Sequence, residues 1–367
     1  MNNIDLRAIA FFLPQFHPIP ENDLWWGKGF TEWTNVAKCT PCFRGHYQPH
    51  LPADLGFYDL RLPEVREEQA TLAKQYGIHG FCYYHYWFNG RRVLERPVDD
   101  MLKSKQPDLP FCLCWANENW TRRWDGLNQE VLLEQVYSAT DDRAHIQSLL
   151  PTLHDSRYIK VDGKPLLLIY RISFLPNPIE TIRIWREEAI KSGLDGLFLC
   201  NVESSKKEFG IAAQLPLDAA IEFAPDWSKL APMGRGIGGR VLRRLRSFVG
   251  SKGLYFKHSI TDYGTLAQRM MSKPPVEYPR VPCVTPMWDN TARRKKIGAT
   301  ILHGSTPGQY EDWLKNRVRF VRENPSCKNL LFINAWNEWA EGNHLEPCQK
   351  WGRSYLEATK RALLTND

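Results

Sequence analysis

The sequence predicts a single (β/α)8 barrel, and three observations support this fold class. Eight short apolar segments alternate with helical patterns along almost all of the 367 residues. Eight is the number of strands that closes a parallel barrel, which needs roughly 250 residues. The apolar segments also end in polar and aromatic residues, and the active sites of such barrels lie at that end of the strands. We therefore expect residues 1–367 to form one catalytic α/β domain.

The predicted strands are apolar nearly throughout, as expected for a parallel sheet that helices cover. They occupy residues 8–16, 78–87, 110–117, 165–170, 196–202, 219–223, 281–288 and 330–336. The helical patterns between them include residues 63–76, 179–192, 263–271 and 309–323. An open doubly wound sheet is the alternative. That fold needs a glycine-rich phosphate loop after its first strand, where this chain has Pro-Gln-Phe-His-Pro at residues 14–18.

The residues at the strand ends are candidates for sugar binding. Their amides, imidazoles and carboxylates suit sugar hydroxyl groups, and a Trp ring offers a flat apolar face to the C–H side of a sugar. The chain has 14 Trp, several times the usual share, although a Trp in the core is the alternative explanation. The substrate-binding candidates are Gln15, His17, Trp25, Trp26, Glu32, Trp33, His50, Tyr84, His85, Trp87, Trp115, Asn117, Glu118, Trp120, Arg122, Trp288, Asn337, Trp339, His344 and Glu346.

Two segments supply candidate catalytic carboxyl groups. Glycosyl transfer passes through an oxocarbenium-like state, which carboxyl groups flanking the bond usually stabilise. Glu338 and Glu341 follow the eighth predicted strand, and Glu118 follows the third. Burial among Trp side chains should raise the pKa of a carboxyl group, as a general acid requires at neutral pH. We expect Glu338 and Glu341 to be catalytic, and an alternative pairs Glu118 with Glu338.

Other chemistries find less support in the sequence. It contains no Asp-x-Asp, Gly-x-Ser-x-Gly or Walker motif. His46 and His50 lie four residues apart, but without the His-Glu-x-x-His pattern of zinc proteases. Most of the nine Cys lie in apolar segments, which is typical of buried free thiols in a reducing compartment. We therefore expect neither a metal ion nor an organic cofactor.

The charge and hydropathy patterns bear on location and partners. The apolar run at residues 8–13 is too short for a signal peptide, and no run of 18 apolar residues exists, so we expect a cytoplasmic protein. The net charge of +7 is uneven, because residues 235–257 hold seven basic and no acidic residues and residues 293–296 are all basic. Residues 226–259 form an insertion relative to a minimal barrel. This insertion has three possible interpretations: it forms a surface helix, it acts as a lid, or it contacts the inner face of an anionic membrane.

Several long motifs make the sequence resemble a known family. They are Phe-Leu-Pro-Gln-Phe-His-Pro at residues 12–18, Gly-Phe-Thr-Glu-Trp-Thr-Asn-Val at 29–36, Gly-His-Tyr-Gln-Pro-His at 45–50, Tyr-Tyr-His-Tyr-Trp-Phe at 83–88, Trp-Ala-Asn-Glu-Asn-Trp-Thr-Arg-Arg-Trp at 115–124 and Asn-Glu-Trp-Ala-Glu-Gly at 337–342. With these motifs the chain resembles the WbsX-like proteins of bacterial polysaccharide gene clusters. Those proteins are relatives of glycoside hydrolase family 99, and the resemblance covers nearly the full chain.

The resemblance implies a (β/α)8 barrel without cofactor and a particular chemistry. Family 99 comprises retaining, endo-acting enzymes on α-mannosides. By similarity, Glu338 deprotonates the 2-hydroxyl of the sugar, which attacks the anomeric carbon to give a 1,2-anhydro sugar. Glu341 is similar to the acid that protonates the leaving oxygen and later activates the acceptor. Ala340 stands where many family 99 enzymes have His, and residues 343–346 also differ, so the resemblance does not specify the sugar.

Three functions are compatible with these observations. The first, which we predict, is a retaining glycosidase or transglycosidase that acts on a bacterial surface polysaccharide (O-antigen or capsule) or its lipid-linked precursor. The second is a glycosyltransferase with an activated sugar donor, in which Arg122 and Arg123 hold a phosphate. WbsX-like proteins are often described in this way. The third is a non-catalytic glycan-binding protein. The expected partner is an oligosaccharide or polysaccharide, and no nucleic acid.

Overall fold

A closed barrel of eight parallel strands forms the centre of the protein. A computed structural model describes residues 6–122, 127–230, 258–294 and 298–365. The barrel strands are β1 (Arg7–Phe12), β2 (Gly80–Phe88), β3 (Phe111–Trp115), β4 (Lys164–Ile169), β5 (Phe198–Val202), β6 (Ala219–Glu222), β7 (Arg280–Val284) and β8 (Leu330–Ile333). Each strand pairs with the next in chain order, and β8 pairs with β1 to close the ring. The predicted (β/α)8 barrel is confirmed, with each predicted strand overlapping one of the eight.

Helices surround the barrel or lie in the loops at its carboxyl end. They are α1 (Pro20–Trp26), α2 (Glu32–Ala37), α3 (Pro63–Gln75), α4 (Arg96–Ser104), α5 (Ala139–Leu153), α6 (Pro178–Lys191), α7 (Tyr263–Met271), α8 (Thr291–Arg294), α9 (Pro307–Glu323) and α10 (Ser354–Leu364). Helix α9 begins two residues before the predicted position 309. Thr306 caps it by accepting a hydrogen bond from the backbone of Gln309, and Pro307 suits the first helical turn.

Short strands outside the barrel organise three of the loops at its carboxyl end. Trp120–Arg122 pairs with Leu127–Leu133, Trp288–Asp289 with Thr300–His303, and Asn337–Glu338 with Asn343–His344. The predicted seventh strand, residues 281–288, is therefore two strands. Strand β7 ends at Val284 because Pro286 has no N–H group to continue the ladder. This break turns the chain so that Trp288 and Asp289 belong to the loop.

Two sequence predictions concern segments that are only partly described. Most of the insertion at residues 226–259 lies outside the described residues, as do Arg123, Lys295 and Lys296. The lid and membrane interpretations, and the single-domain assignment, therefore stay predictions. No helix among the described ranges is long and apolar enough to cross a membrane. All nine cysteines are free thiols, and seven of them are buried.

Candidate active site

A cavity of about 480 Å³ opens at the carboxyl ends of the barrel strands. Its walls come from β2 and from loops that follow β1, β3, β4, β6, β7 and β8. Nine of the predicted site residues line it together: Gln15, Trp25, Trp26, Tyr84, Glu118, Trp120, Trp288, Glu338 and Glu341. The fold thus brings the candidate carboxyl groups and much of the aromatic set to one place.

Arg293 joins the two predicted catalytic glutamates. Its Nη2 lies 2.8 Å from Oε2 of Glu338, and its Nη1 lies 2.7 Å from Oε1 of Glu341. The same guanidinium also bonds Oε1 of the fully buried Glu32, from Nη2 at 2.6 Å and from Nε at 3.0 Å. One arginine therefore orients both predicted catalytic side chains and fixes them to helix α2.

The electrostatics of this cluster favour a retained proton. Burial raises the pKa of Glu338 to about 8, an effect that Arg293 opposes and Glu341 reinforces. Burial also raises the pKa of Glu341, again against the influence of Arg293. A single guanidinium charge does not offset three ionised carboxylates in a buried site. We conclude that the Glu338–Glu341 pair keeps one proton at neutral pH.

Asp289 positions the helix that carries Arg293. Its Oδ1 accepts hydrogen bonds from the backbone N–H of Thr291, at 3.0 Å, and from the Thr291 hydroxyl, at 2.6 Å. These bonds fix the first turn of α8, two residues before Arg293. The other carboxylate oxygen of Asp289 lies 2.5 Å from Nε2 of His46, which ties this loop to the one after β1.

The turn that carries Glu341 packs tightly against Asp289. The residue after Glu341, Gly342, has a φ of +53°. A Cβ atom at position 342 would lie 2.9 Å from Cβ and 3.0 Å from the carbonyl oxygen of Asp289. Only glycine fits both this conformation and this contact. The close approach keeps Glu341 beside Arg293.

We predict that Gly342→Ala separates Glu341 from Arg293. The added methyl group has to displace backbone, so we expect the free energy of unfolding to fall by about 1–3 kcal/mol. Any activity that depends on this pair of carboxyl groups should fall on the order of 10²-fold, because small displacements of catalytic groups are costly. Thermal unfolding and kcat/KM test this, with Gly308→Ala in α9, where a Cβ meets nothing within 4 Å, as control. Equal effects of the two substitutions would contradict the prediction.

Glu118 enters the cavity with an arginine of its own. Nε of Arg171 lies 3.1 Å from Oε1 of Glu118, and Nη1 of Arg171 donates to the Ser204 hydroxyl at 2.7 Å. The Asn117 side chain bonds the backbone N–H and C=O of Arg171, each at 2.8 Å, and so joins the ends of β3 and β4. Asn117 therefore holds Arg171 in place instead of lining the cavity. The alternative pairing of Glu118 with Glu338 stays a prediction.

Aromatic side chains lie on opposite sides of the cavity. Trp120, after β3, contacts the ring of Trp25 at 5.9 Å and that of Tyr86 at 5.3 Å between centroids. Trp227, after β6, and Trp288, after β7, contact each other edge to face at 5.1 Å. Strands β3 and β7 lie opposite each other in an eight-stranded ring. Sugar rings can therefore find apolar faces on both sides of the carboxyl pair.

Strand alternation decides which aromatic residues of β2 and β3 reach the cavity. Tyr84 and Tyr86 line it, whereas His85 faces the helices and lies 2.9 Å from His145 of α5. Trp87 donates to Asp141, also on α5, at 3.0 Å. Successive side chains of a strand point to opposite faces, which the sequence-based choice of His85, Trp87 and Trp115 did not take into account. The structure therefore places these three residues outside the cavity lining.

Several other predicted site residues are buried behind the cavity. Asn337 bonds the backbone N–H and C=O of Leu13, at 2.7 and 3.0 Å, and so attaches the loop after β8 to the end of β1. The carboxylate of Glu346 accepts hydrogen bonds from three donors, namely the side chains of Tyr58, Gln69 and Trp339. The predicted residues outside the cavity lining are His17, Glu32, Trp33, His50, His85, Trp87, Trp115, Asn117, Asn337, Trp339, His344 and Glu346. The side chain of Arg122 lies outside the described residues.

Several residues that line the cavity were not predicted from the sequence. Among them are Asn22, Tyr86, Asn119, Tyr170, Arg171, Trp227, Asn290, Arg293, Arg294 and Asn334. Arg293 belongs to a run of four basic residues, which the sequence suggested only as a basic cluster suited to anionic partners. One feature of the sequence could have indicated Arg293, namely the three acidic residues Glu32, Glu338 and Glu341. If their carboxyl groups meet in the interior of the protein, they need a cation beside them.

The described residues offer no obvious metal centre. Nowhere in the described ranges do three or more His, Cys, Asp or Glu side chains form a group that could hold a metal ion. Cys39 and Cys42 form a Cys-x-x-Cys pair, and the neighbouring His46 already bonds Asp289 through Nε2 and accepts from the backbone N–H of Cys42 at Nδ1. Its two ring nitrogens are thus used in hydrogen bonds within the protein.

The comparison with known families identifies the group of proteins to which this chain belongs. The chain belongs to the family described as "Glycosyltransferase WbsX", whose model matches residues 8–359. It is 45% identical over 356 residues to two proteins called "Uncharacterized protein WxcX" from strains of Xanthomonas campestris pv. campestris. The match covers 97% of this chain and 49% of each relative, so the chain spans about half the length of the curated relatives it matches.

Solved structures share the fold at low sequence identity. The GH99 endo-alpha-mannosidase from Bacteroides thetaiotaomicron is 14% identical with a TM-score of 0.54, over 97% of this chain and 96% of that one. A "Glycoside hydrolase-like protein" is 12% identical with a TM-score of 0.58, over 100% and 96%. The family match confirms the resemblance to WbsX-like proteins, and the solved structures show that the barrel is also the fold of the GH99 neighbours.

Proposed function

We propose that this protein is a retaining glycosidase or transglycosidase with Glu338 and Glu341 as its catalytic pair. Its substrate is a bacterial surface polysaccharide, O-antigen or capsule, or the lipid-linked precursor of one. The observation that carries the proposal is the bridging of both glutamates by Arg293, in a cavity with aromatic residues on opposite sides. The family to which the chain belongs, associated with polysaccharide gene clusters, supports a glycan as the substrate.

The proposed reaction has two steps. In the first, Glu338 takes the proton of the sugar 2-hydroxyl, and O2 attacks the anomeric carbon as the glycosidic bond breaks. Glu341 gives its proton to the leaving oxygen, so a 1,2-anhydro sugar remains. In the second, Glu341 removes a proton from water or a sugar hydroxyl, which attacks the anomeric carbon. O2 regains its proton from Glu338, and two inversions give net retention.

Arg293 suits this reaction because it contacts both glutamates. In the first step the proton gained by Glu338 equals the proton lost by Glu341. The total charge next to the Arg293 guanidinium therefore stays constant while its position changes. A fixed cation between the two carboxylates stabilises the ionised form of either one without reorganisation. Because Arg293 contacts both glutamates, one proton is enough for the pair. It is on Glu341, the acid, before the first step, and Glu338, the base, carries one after it.

The pH dependence of kcat/KM should be bell-shaped. Burial raises the pKa of Glu338, to about 8, and also that of Glu341, so the proposal assigns the pair one shared proton near neutral pH, which the first step needs on Glu341 while Glu338 is ionised. Above about pH 8 the pair loses the proton that the leaving oxygen needs, and the rate falls. At acidic pH both carboxyl groups are protonated and the base is lost. Initial rates between about pH 4 and pH 10 test this, and a rate that keeps rising above about pH 8 would contradict it.

The anomeric configuration of the first product tests the retaining mechanism. Proton NMR during cleavage distinguishes the anomers before mutarotation equilibrates them. The proposal predicts that the first product keeps the configuration of the substrate, since two inversions occur. An inverted first product would show that water attacks directly, and the roles given to Glu338 and Glu341 would be wrong.

A glycosyltransferase is the second candidate. The family description and the presence of Arg171 and Arg294 in the cavity lining favour it, because arginines suit the phosphate of an activated donor. This candidate predicts that glycans are extended only when a nucleotide sugar or a lipid phosphate sugar is added. The first candidate predicts shortened or rearranged chains without any donor.

A further inference from the structure

We propose that Arg294 forms a subsite for the carboxylate of an acidic sugar, next to the catalytic pair. This inference rests on the proposed function and names the class of its substrate, a glycan that contains a sugar acid. Arg294 follows Arg293 at the end of α8, is half-buried and lines the cavity. Glu341 lines the same cavity, and the charge of Arg294 acts to lower the pKa of that glutamate.

Arg294 differs from Arg171 and Arg293, the other arginines that line the cavity, because its side chain has no partner among the described residues. Among the arginine side chains that the structure describes, only those of Arg44, Arg294 and Arg319 make no hydrogen bond or ion pair to another described residue. Arg44 and Arg319 are exposed, so water satisfies them. Arg294 instead is half-buried and lines the cavity. A guanidinium in a partly desolvated cavity gains most from an anionic acceptor.

The wall around Arg294 is fixed in place by hydrogen bonds. The backbone N–H of Arg294 donates to the carbonyl of Asn290 at 3.0 Å. The side chain of Asn290 in turn accepts from the backbone N–H of Thr300 at 2.8 Å. Asn290, Thr300 and the Trp227–Trp288 pair line the same cavity. A sugar bound here therefore meets an aromatic face, polar groups and one free cation among the described residues.

Charge matching favours a carboxylate over the phosphates of a nucleotide sugar. Glu118, Glu338 and Glu341 face the same cavity, and Arg171 and Arg293 are already paired with them. One unpaired guanidinium balances the single negative charge of a sugar acid. The several charges of a diphosphate would also meet these carboxylates at close range. A carboxylate can accept two parallel hydrogen bonds from the planar guanidinium, which adds geometric selectivity.

Binding to matched glycans tests this inference without turnover. The probes are oligosaccharides that contain a hexuronic acid, the same oligosaccharides after reduction of the carboxyl group to an alcohol, and a hexose 1-phosphate. Each is titrated against the Glu341→Gln protein, alone and combined with Arg294→Gln. Arg319→Gln is the matched control, because it removes the same charge from an exposed, unpaired arginine outside the cavity.

The inference predicts that at least one acidic oligosaccharide binds roughly 10- to 100-fold more tightly than its reduced counterpart. This preference should disappear in Arg294→Gln and persist in Arg319→Gln. A preference that survives Arg294→Gln, or no preference for any acidic probe, would overturn it. So would a hexose 1-phosphate that binds through Arg294 more tightly than every acidic oligosaccharide. Acidic glycans that bind through Arg294 but are never cleaved by the wild type would refute the proposed function alone.

Discussion

Replacement of Glu341 by Gln should lower the rate of glycan cleavage by about 10²- to 10⁴-fold while the protein stays folded. An amide can neither protonate the leaving oxygen nor activate the acceptor. It has nearly the same shape as the carboxyl group, and Arg293 keeps its bonds to Glu32 and Glu338. Initial rates together with thermal unfolding measure both effects. A loss of activity that merely follows a loss of folded protein would contradict the assignment.

Substrates that differ in the acidity of their leaving group test the role of Glu341 as the acid more specifically. A substrate with a strongly acidic phenol as leaving group needs no protonation, so its first step should be much less sensitive to Glu341→Gln. Glu338→Gln should impair both kinds of substrate, because O2 still has to lose its proton. Glu118→Gln provides the comparison for the alternative pairing. If Glu118→Gln showed the leaving-group dependence and Glu341→Gln did not, Glu118 would be the acid.

Replacement of Arg293 by Gln should destabilise the protein strongly as well as inactivate it. The change leaves Glu32, Glu338 and Glu341 buried without the cation that bonds all three. Removal of one partner from a buried ion cluster costs about 3–5 kcal/mol of unfolding free energy. Urea-induced unfolding at neutral pH measures this loss. Arg353→Gln is the control, because its ion pair with Asp54 is largely exposed and should contribute less than about 1 kcal/mol.

A second substitution separates charge from packing in this cluster. Adding Glu32→Gln to Arg293→Gln removes one of the uncompensated carboxylates, so part of the lost stability should return. Activity should remain low, because Glu338 and Glu341 have lost the group that orients them. If Glu32→Gln lowered the stability of the Arg293→Gln protein further, the electrostatic account of the cluster would be wrong.

The fold followed from the sequence because buried parallel strands leave a clear pattern. Strands such as β4 and β8 are covered by helices outside and by other side chains inside, so their sequences are continuous apolar runs. Their number and their alternation with helices then specify the barrel. The same physics explains why the predicted seventh strand extends too far. An apolar run continues past Val284 to Trp288, although Pro286 ends the hydrogen-bonded ladder.

The site was only partly predictable, and the reasons are specific. Glu338 and Glu341 could be singled out as residues of the cavity because acidic residues among Trp side chains at a strand end are unusual. Arg293 was not predicted as a site residue, because its neighbours in sequence are basic and its partners are distant along the chain. Tryptophan density could not separate residues that face the cavity from those that face the helices. For β2 the alternation of side chains would have done so, since Tyr84 and Tyr86 share one face.

Mass spectrometry of glycan products tests the central claim most directly. Purified wild-type protein and Glu341→Gln are each incubated with the polysaccharide of the host strain, with no activated donor. The account predicts shortened or rearranged chains with the wild type and none with Glu341→Gln. Chains that stay unchanged until an activated donor is added, and are then extended equally by both proteins, would contradict it.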